Sequence, residues 1–499
     1  MPTSREQLAV RIFAVVLCAL IVVPGLPRLG PWAGAAAVLL GVAVAILVVR
    51  WVPASLAGGM RRRPVLAALW ALAAVLALVQ VGRLSAFMAD HDRVWGATFP
   101  DPKATGHMCM SAYVLAADLS RRGEPNLYDA RFYPAFPGGI VAETSIVGLS
   151  PYLQDPYEYP PPFLLLPRAA IGLTNDFMSV RTAWFVLQAL GLLVVAVWLP
   201  HWVAGRDGTL ALLLIPVLFA SVPTMHGLQF GQFHVATLLL SLLGMALLAE
   251  RRPAWGGALL GFAIVSKLFP GLLLVVLAAR RRWRDVGWAI GFCALYAVLG
   301  LVFLGWAPFQ AFLTYQLPRI ASGEAFGFFE REAFSVSRNF AVSGIVTKLN
   351  FLGVPGMGHG VASVVGWLYT LVLLWLAWRA GTGRADRLSE VRSWLALLSL
   401  GALRSPLAPS AYVVISVLWL LTYLAGEIRG RWQWVVAFVA AWAAILGPPP
   451  LEGAAEFITG FIGQGTAIGI CLWVLLRRPV AGAAEAVGVT PPAPATSPA

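Results

Sequence analysis

The stretch RRRPVLAALWALAAVLALVQVGRL, residues 61–84, decides the fold class of this chain. Three arginines precede a mostly apolar run of about 20 residues, the length that crosses a bilayer as a helix. Arginines beside a span mark its cytoplasmic end, so this run is predicted to lead out of the cytoplasm. Similar apolar runs recur at roughly 9–29, 32–52, 180–200, 208–226, 230–249, 286–304, 361–379, 392–404, 409–426, 433–448 and 457–476.

The composition agrees with a membrane protein. The 499 residues are 59% hydrophobic and only 12% charged, whereas a soluble domain carries about 25% charged residues. This excludes a soluble globular enzyme, a disordered chain and a nucleic-acid-binding protein. The net charge of +13 is attributed to cytoplasmic loops. We therefore predict an all-α, polytopic transmembrane helix bundle in the cell membrane, and the four cysteines indicate no disulfide framework or zinc site.

Three shorter apolar pieces make the number of spans uncertain by a few. They lie at 161–173, 254–266 and 270–279, and about 10–13 residues are too few to cross a bilayer alone. Tilted half-helices, re-entrant segments or one kinked pair all fit, so we predict 11–14 spans. The first run, 9–29, lacks an A-x-A cleavage site and is expected to be a retained helix rather than a signal peptide.

The chain is predicted to divide into four parts. Residues 1–60 form an additional N-terminal transmembrane hairpin, and residues 61–426 form the core with its large loop 85–160. Residues 427–479 are C-terminal transmembrane helices. The Ala/Pro-rich end, 480–499, is expected to be disordered.

Arginine clusters orient the bundle. Those at 61–63, 251–252, 280–284, 429–431 and 477–478 adjoin span ends and are expected in the cytoplasm. The loop 85–160 and a second segment, 305–340, then lie outside it. The first loop holds 9 of the 23 acidic side chains. A loop of this length is uncommon unless it is functional or disordered, and its many tyrosines argue against disorder.

Two local patterns stand out in this loop. From Ser111 to Arg122 the apolar residues recur at helical spacing, which predicts an amphipathic helix on the outer leaflet. Gly123 is expected to end that helix. The run Tyr157–Pro162 is expected to be extended because of its prolines. That run is either a rigid lead-in with interfacial tyrosines or part of a site.

A series of motifs in fixed order resembles glycosyltransferase family 87. The family consists of GT-C-fold membrane enzymes, similar to the mannosyltransferases that elaborate phosphatidylinositol mannosides, and the resemblance covers roughly residues 64–426. The motifs are Tyr113 with Ala117, Gly123, Leu127-Tyr128-Asp129, Tyr157-Glu-Tyr159-Pro-Pro161, Gly231-Gln232-Phe-His234, Ser266-Lys267-Leu-Phe-Pro270, Arg338-Asn339 before Gly344, and Arg404-Ser405-Pro406.

The resemblance implies a specific reaction. A sugar, with mannose favoured, moves from a polyprenyl-phosphate-sugar donor to a hydroxyl of a lipid-linked or cell-envelope glycan acceptor. The active site is then extracytoplasmic, among membrane lipids, and no cofactor is expected, although a divalent cation stays open. An acidic general base removes the hydroxyl proton while the anomeric carbon gains positive charge.

One departure concerns that base. The family aspartate is expected about four residues before Tyr113, where this chain has Cys109. Asp90, Asp92, Asp101 and His107 are the alternatives, and Asp90 is favoured because it lies nearest the membrane exit. His107 comes next because imidazole titrates near neutral pH. A member that has lost its activity is a further alternative.

Other candidates for substrate binding each have a structural alternative. Lys267 meets the donor phosphate or extends to the cytoplasmic face. Arg404 binds phosphate or pairs within the bundle. Arg338 and Asn339 bind diphosphate or sugar, or belong to a solvated loop. The tyrosines of the motifs, Tyr113, Tyr128 and Tyr159, complete the predicted substrate-binding set.

A polar group precedes and opens the run 230–249. His226, Gln229, Gln232 and His234 lie within nine residues and serve either sugar binding or hydrogen bonding between helices. No metal site is predicted, because the two histidines are not on adjacent turns of one helix face. A lipid or solute transporter is the alternative class, but no internal repeat supports it.

Overall fold

The computed structural model describes residues 5–52, 64–90, 92, 108–150, 152–383, 386–427, 432–446 and 453–477. These residues form a helix bundle without a sheet, and the only strand-like pairings among them are two isolated bridges, Val147 with Asp176 and Asn339 with Pro409. The all-α prediction is confirmed. The tail 480–499 lies outside the described residues.

Helices account for 79% of the structure, and most of that share lies in α-helices. In order they are α1 Arg5–Val22, α2 Pro31–Trp51, α3 Pro64–Ala89, α4 Cys109–Arg121, α5 Leu165–Leu173, α6 Phe177–Val203, α7 Gly205–Leu213, α8 Ile215–Ala220, α9 Val222–Gln229, α10 Phe233–Ala249, α11 Pro253–Ser266, α12 Leu272–Ala279, α13 Trp283–Leu304, α14 Ala307–Ala311, α15 Leu317–Ser322, α16 Ala333–Ser337, α17 Gly344–Phe351, α18 His359–Thr382, α19 Arg387–Ala402, α20 Ser410–Val413, α21 Ile415–Leu424, α22 Trp432–Leu446 and α23 Ala454–Leu476.

Eight of the described helices are long and apolar enough to cross a membrane, or nine if the pair Gly205–Ala220 and Val222–Gln229, bent by 61°, counts as one span. The sequence predicted 11–14. The difference arises because several apolar runs form helices of 10–17 residues, which at about 1.5 Å per residue are shorter than the roughly 30 Å hydrocarbon core. The eight are α1, α2, α3, α6, α13, α18, the stretch Ser410–Glu427 and α23.

Two of the short apolar pieces form a hairpin. Helix α11 runs parallel to α13, since Gly257 lies against Trp288 and Gly261 against Phe292. Helix α12 then returns to the arginine-rich end, where the Arg282 guanidinium donates to the Leu248 carbonyl. The sequence left three interpretations open for these pieces, and the structure joins two of them as a pair of helices that run in opposite directions. The tip of the hairpin is the segment 267–271.

The N-terminal hairpin packs directly on the rest of the bundle. A side chain at Gly41 would lie 2.9 Å from Val22, so α1 and α2 are in close contact. Gly25 fits against Thr182 of α6 in the same way. The Arg28 side chain donates to the Ala89 carbonyl at the end of α3, at 2.8 Å.

The first loop folds into the bundle instead of lying on it. Every side chain of α4 from Met110 to Ser120 is buried, including Asp118. The predicted helix is confirmed, but its placement on the outer leaflet is wrong, because other segments of the loop cover its polar side. Gly123 follows the helix with φ +79°, as expected of a residue that ends one.

The proline run behaves almost as predicted. Residues 153–158 and Pro160 have no regular structure, and a 3₁₀ turn begins at Pro161 and leads into α5. Prolines at the first positions of a helical turn cost little, because their missing N–H groups have no helical partner there. Tyr157 is fully buried and is therefore not interfacial, whereas Tyr159 is only partly buried.

Candidate functional site

A tight turn ahead of α10 positions the first site residue. Gly231 has φ +62°, and a side chain there would lie 3.0 Å from Met110 of α4. The Met110 backbone N–H donates to the Phe230 carbonyl at 3.3 Å, and the Trp184 indole donates to the Gly231 carbonyl at 2.9 Å. The loop helix and α10 are thereby held together, with Gln232 at the junction.

Gln232 connects three side chains of the first loop. Its Oε1 accepts hydrogen bonds from the hydroxyls of Tyr113, at 2.9 Å, and Tyr159. Its Nε2 donates to Cys109 Sγ at 3.4 Å. The two tyrosine hydroxyls lie 2.8 Å apart. We refer to Cys109, Tyr113, Tyr159 and Gln232 as the tyrosine–glutamine cluster. Three of these four residues, Tyr113, Tyr159 and Gln232, were predicted from the sequence to bind substrate.

Aromatic rings hold the cluster in place. Phe163, in the first turn after the prolines, lies 5.0 Å from the Tyr113 ring and 4.7 Å from both Tyr159 and Phe233. Tyr128 donates from its hydroxyl to the Tyr159 carbonyl at 2.9 Å. Tyr128 therefore stabilises the cluster indirectly, by holding the backbone of Tyr159.

Lys267 reaches the cluster from the hairpin tip. Its Nζ lies 4.9 Å from the centre of the Tyr159 ring, a cation–π contact. It interacts electrostatically with Glu158 and with Cys109. Because α11 leads away from the arginine-rich end, the ammonium lies far from Arg251 and Arg252. The snorkelling alternative requires it to lie on the same side as those arginines.

His234 lies beside the same residues. Its ring is 5.4 Å from Phe269 and 6.0 Å from Tyr412, centre to centre. Within the part of the chain that the structure describes, its buried Nε2 has no hydrogen-bond partner. The other two polar residues of that sequence group stay outside the cluster: His226 stacks on Phe230, and Gln229 is buried in α9.

Glu158 is the residue that sequence reasoning missed. It stands directly before Tyr159, and its Oε1 is buried with no hydrogen-bond partner among the described residues. Burial raises the pKa of Glu158 well above its ordinary value, although the nearby cations Lys267 and Arg319 act in the opposite direction. The sequence feature that could have indicated Glu158 is a carboxylate between two tyrosines, ahead of three prolines.

Arg404 and Asn339 lie in a second pocket, separate from the tyrosine–glutamine cluster. Both line a pocket of about 40 Å³, together with Ser343, Glu330 and His359. The Arg404 guanidinium donates to Thr370 and lies 5.6 Å from the Trp367 ring. The short segment 404–412 joins this pocket to Tyr412, which borders the cluster.

Asn339 is occupied by backbone contacts, and Arg338 has an aromatic neighbour. The Asn339 side chain donates to the Pro406 carbonyl and accepts from the N–H groups of Ala341 and Ala408, at 2.9–3.0 Å. The Arg338 guanidinium lies 4.7 Å from the centre of the Phe334 ring. Asn339 therefore holds two chain segments together.

Of the four bases predicted from the sequence, the structure describes two, Asp90 and Asp92. Asp90 follows α3, and its carboxylate accepts from the Asp92 N–H at 3.2 Å. Both carboxylates act electrostatically on Tyr152, whose ring lies 4.9 Å from the buried Arg181 guanidinium. His107 and Asp101 lie outside the described residues. Over the described ranges, no group of three or more His, Cys, Asp or Glu side chains has the geometry of a metal site.

Comparison with known proteins identifies the family. The profile of glycosyltransferase family 87 matches residues 157–406, half of the chain. The chain belongs to glycosyltransferase family 87. The matched part contains Glu158, Tyr159, Gln232, His234 and Lys267, and it begins after Cys109 and Tyr113.

This family 87 chain is also similar to a curated protein. The polyprenol-phosphate-mannose-dependent alpha-(1-2)-phosphatidylinositol mannoside mannosyltransferase of Mycobacterium tuberculosis (strain ATCC 25618 / H37Rv) is 27% identical over 217 residues, which are 41% of this chain. The chain spans about half the length of that relative, 48%. No solved structure matches the chain.

Proposed function

We propose that this chain transfers mannose from a polyprenyl-phosphate-mannose donor to a hydroxyl of a lipid-linked or cell-envelope acceptor. The family and the printed activity of the mycobacterial relative support the reaction class. The observation that carries the proposal is the convergence of the Lys267 ammonium, the Glu158 carboxylate and the tyrosine–glutamine cluster where the hairpin tip meets the first loop.

The chemistry of sugar transfer needs these groups. The acceptor hydroxyl must lose a proton to a base as the bond at the anomeric carbon breaks. Lys267 is the proposed partner of the leaving phosphate, since an ammonium forms strong charge-assisted hydrogen bonds to phosphate oxygens. The cluster and Tyr128 shape the sugar site in this proposal. Asp90, from the sequence, and Glu158, from the structure, are the two described candidates for the base.

The proposed side of the membrane is the extracytoplasmic one. The arginines at 251–252 and 280–284 adjoin one end of α10, α11 and α13, and such clusters mark the cytoplasmic side. Gln232 and Lys267 lie at the other ends of α10 and α11. A donor lipid then reaches the cluster from the outer part of the bilayer.

Transfer by the isolated protein tests this function. The full chain is placed in lipid nanodiscs with radiolabelled polyprenyl-phosphate-mannose and a phosphatidylinositol mannoside acceptor. We expect label in the acceptor lipid. A nanodisc has no enclosed compartment, so transfer there cannot come from a transporter. The absence of transfer with several acceptors, while the donor lipid still binds, contradicts the proposed function and favours a family member that has lost its activity.

A further inference from the structure

The position at which the family resemblance expects an aspartate belongs to the tyrosine–glutamine cluster. Cys109 is the first residue of α4, and its Sγ accepts a hydrogen bond from Gln232. Lys267 interacts electrostatically with both Cys109 and Glu158. Lys267 therefore interacts both with the position that lacks the expected carboxylate and with Glu158, which comes from a segment 49 residues later.

The Glu158 carboxylate has a buried oxygen that is free to accept a hydrogen bond from a ligand. Among the described residues no donor reaches its buried Oε1, and native proteins rarely leave such an oxygen without a partner. A hydroxyl group of a bound acceptor can supply the missing hydrogen bond. Lys267 and Arg319 provide positive charge nearby, so the carboxylate is not surrounded by apolar groups alone.

We propose that Glu158 is the catalytic base of the transfer and takes the place of the carboxylate that Cys109 lacks. This inference rests on the proposed function. The acceptor O–H proton passes to Glu158 Oε1, and the acceptor oxygen uses an electron pair to form the new bond to the anomeric carbon. The bond from that carbon to the donor phosphate breaks, and polyprenyl phosphate leaves with the electron pair beside Lys267.

The surroundings of Glu158 suit a base that works near neutral pH. Burial raises its pKa and Asp155 raises it further, whereas the cations Lys267 and Arg319 lower it. Tyr159, Tyr133 and Tyr412 also lie within electrostatic range of the carboxylate and are uncharged at neutral pH. A base is most efficient when its pKa approaches the working pH.

Matched single variants of the nanodisc protein test the assignment, with the same labelled donor and acceptor. Glu158→Gln removes the base and keeps the shape, so we expect kcat to fall by about 10²–10⁴-fold with the donor KM within threefold. Glu143→Gln changes an exposed carboxylate of the same loop and is expected to leave kcat within twofold. Asp90→Asn is expected to keep at least a third of the activity.

The outcomes separate the inference from the proposed function. If the wild type transfers mannose and Glu158→Gln retains more than a tenth of its kcat, the base is another residue. The same holds if Asp90→Asn abolishes turnover and Glu158→Gln does not. If the wild type transfers nothing, the proposed function fails and the inference fails with it.

Two further variants keep the test decisive if Glu158→Gln is poorly folded. Glu158→Asp retains a carboxylate, and we expect measurable but slower transfer whose acid limb moves to a different pH. An unchanged rate and pH profile overturns the assignment. In the second variant, Cys109→Asp is combined with Glu158→Gln to restore a carboxylate at the other position. We expect at least a tenfold gain over Glu158→Gln alone, and no gain contradicts the claim that the two positions serve one reacting atom.

Discussion

Two carboxylates of the first loop have buried oxygens, yet the surroundings of those oxygens are opposite. Asp118, in α4, is held by the Thr144 and Ser145 hydroxyls and the Ser145 N–H, at 2.6–3.1 Å, and by two arginines. Glu158 has an Oε1 without any partner among the described residues. Burial raises the pKa of both, but the hydrogen bonds and Arg122 bring that of Asp118 below its ordinary value.

The difference separates a structural charge from a reactive one. A fully paired carboxylate stabilises the fold and has no free lone pair aimed at a ligand, whereas an unpaired one costs stability. Asp118 fixes the return of residues 144–145 onto α4, the helix that carries Cys109 and Tyr113 of the cluster. Glu158 instead interacts electrostatically with Lys267 at the hairpin tip. Burial alone therefore does not distinguish them, and their hydrogen-bond partners do.

The largest expected effect comes from removing Asp118, the carboxylate whose hydrogen-bond partners are all present. Asp118→Ala leaves the hydroxyls of Thr144 and Ser145 and the Ser145 N–H without their acceptor. We expect the free energy of unfolding to fall by about 3 kcal/mol, measured by thermal or denaturant unfolding in detergent. Glu143→Ala, at an exposed position of the same loop, is the matched control and should change it by less than about 0.5 kcal/mol. Equal losses for both variants contradict the structural role of Asp118.

The next effect concerns the cation of the unpaired region. Lys267→Met removes the proposed phosphate partner, and we expect the donor KM to rise about thirtyfold, about 2 kcal/mol for a charge-assisted hydrogen bond. Lys348→Met is the control, because that buried lysine bonds to Gln464 and packs on Phe340 and Phe461. An unchanged donor KM for Lys267→Met shows that Lys267 does not contact the donor.

A smaller effect is expected at the second pocket. Because Lys267 is assigned to the donor phosphate, we assign Arg404, the other predicted phosphate partner, to the phosphate of the acceptor lipid. Arg404→Gln is then expected to raise the acceptor KM about tenfold, about 1.4 kcal/mol, with the donor KM unchanged. Arg379→Gln is a control, since Arg379 bonds to the Leu476 carbonyl of α23. If Arg404→Gln lowers the unfolding temperature and leaves both KM values unchanged, Arg404 has only the structural role.

The two carboxylates are also expected to give stability opposite pH slopes. The pKa of Asp118 is lowered in the fold, so its contribution is present above about pH 4 and is lost as the pH falls through the folded value. The pKa of Glu158 is raised, so stability falls as the pH rises above about 4.3. Each slope reaches at most about 1.4 kcal/mol per pH unit.

Unfolding of the wild type and two variants across pH measures these slopes. The gap between the wild type and Asp118→Asn is expected to widen from pH 3 to 5 and then stay constant. Glu158→Gln should gain stability relative to the wild type as the pH rises from 5 to 7. Parallel curves for the wild type and Glu158→Gln mean that Glu158 is as well solvated in the fold as in the unfolded chain.

Much of the fold and part of the site were predictable from the sequence. Hydropathy gave the helix bundle, and the motifs led to Gln232, His234, Lys267 and two tyrosines that the structure brings together. The burial of α4 was not predictable, because its polar side is covered by residues more than 20 positions away, such as Thr144 and Ser145. Glu158 was missed for the same reason: its significance depends on a hairpin tip about 110 residues later in the chain.

Mapping where the donor lipid binds tests the central claim most directly. The nanodisc protein is irradiated with a polyprenyl-phosphate-mannose that carries a diazirine on its first isoprene unit, and adducts are located by mass spectrometry. We predict adducts in residues 157–163, 232–234 or 267–271, in competition with unmodified donor. Adducts confined to the arginine-rich end, around residues 280–288, contradict the placement of the transfer site at the tyrosine–glutamine cluster.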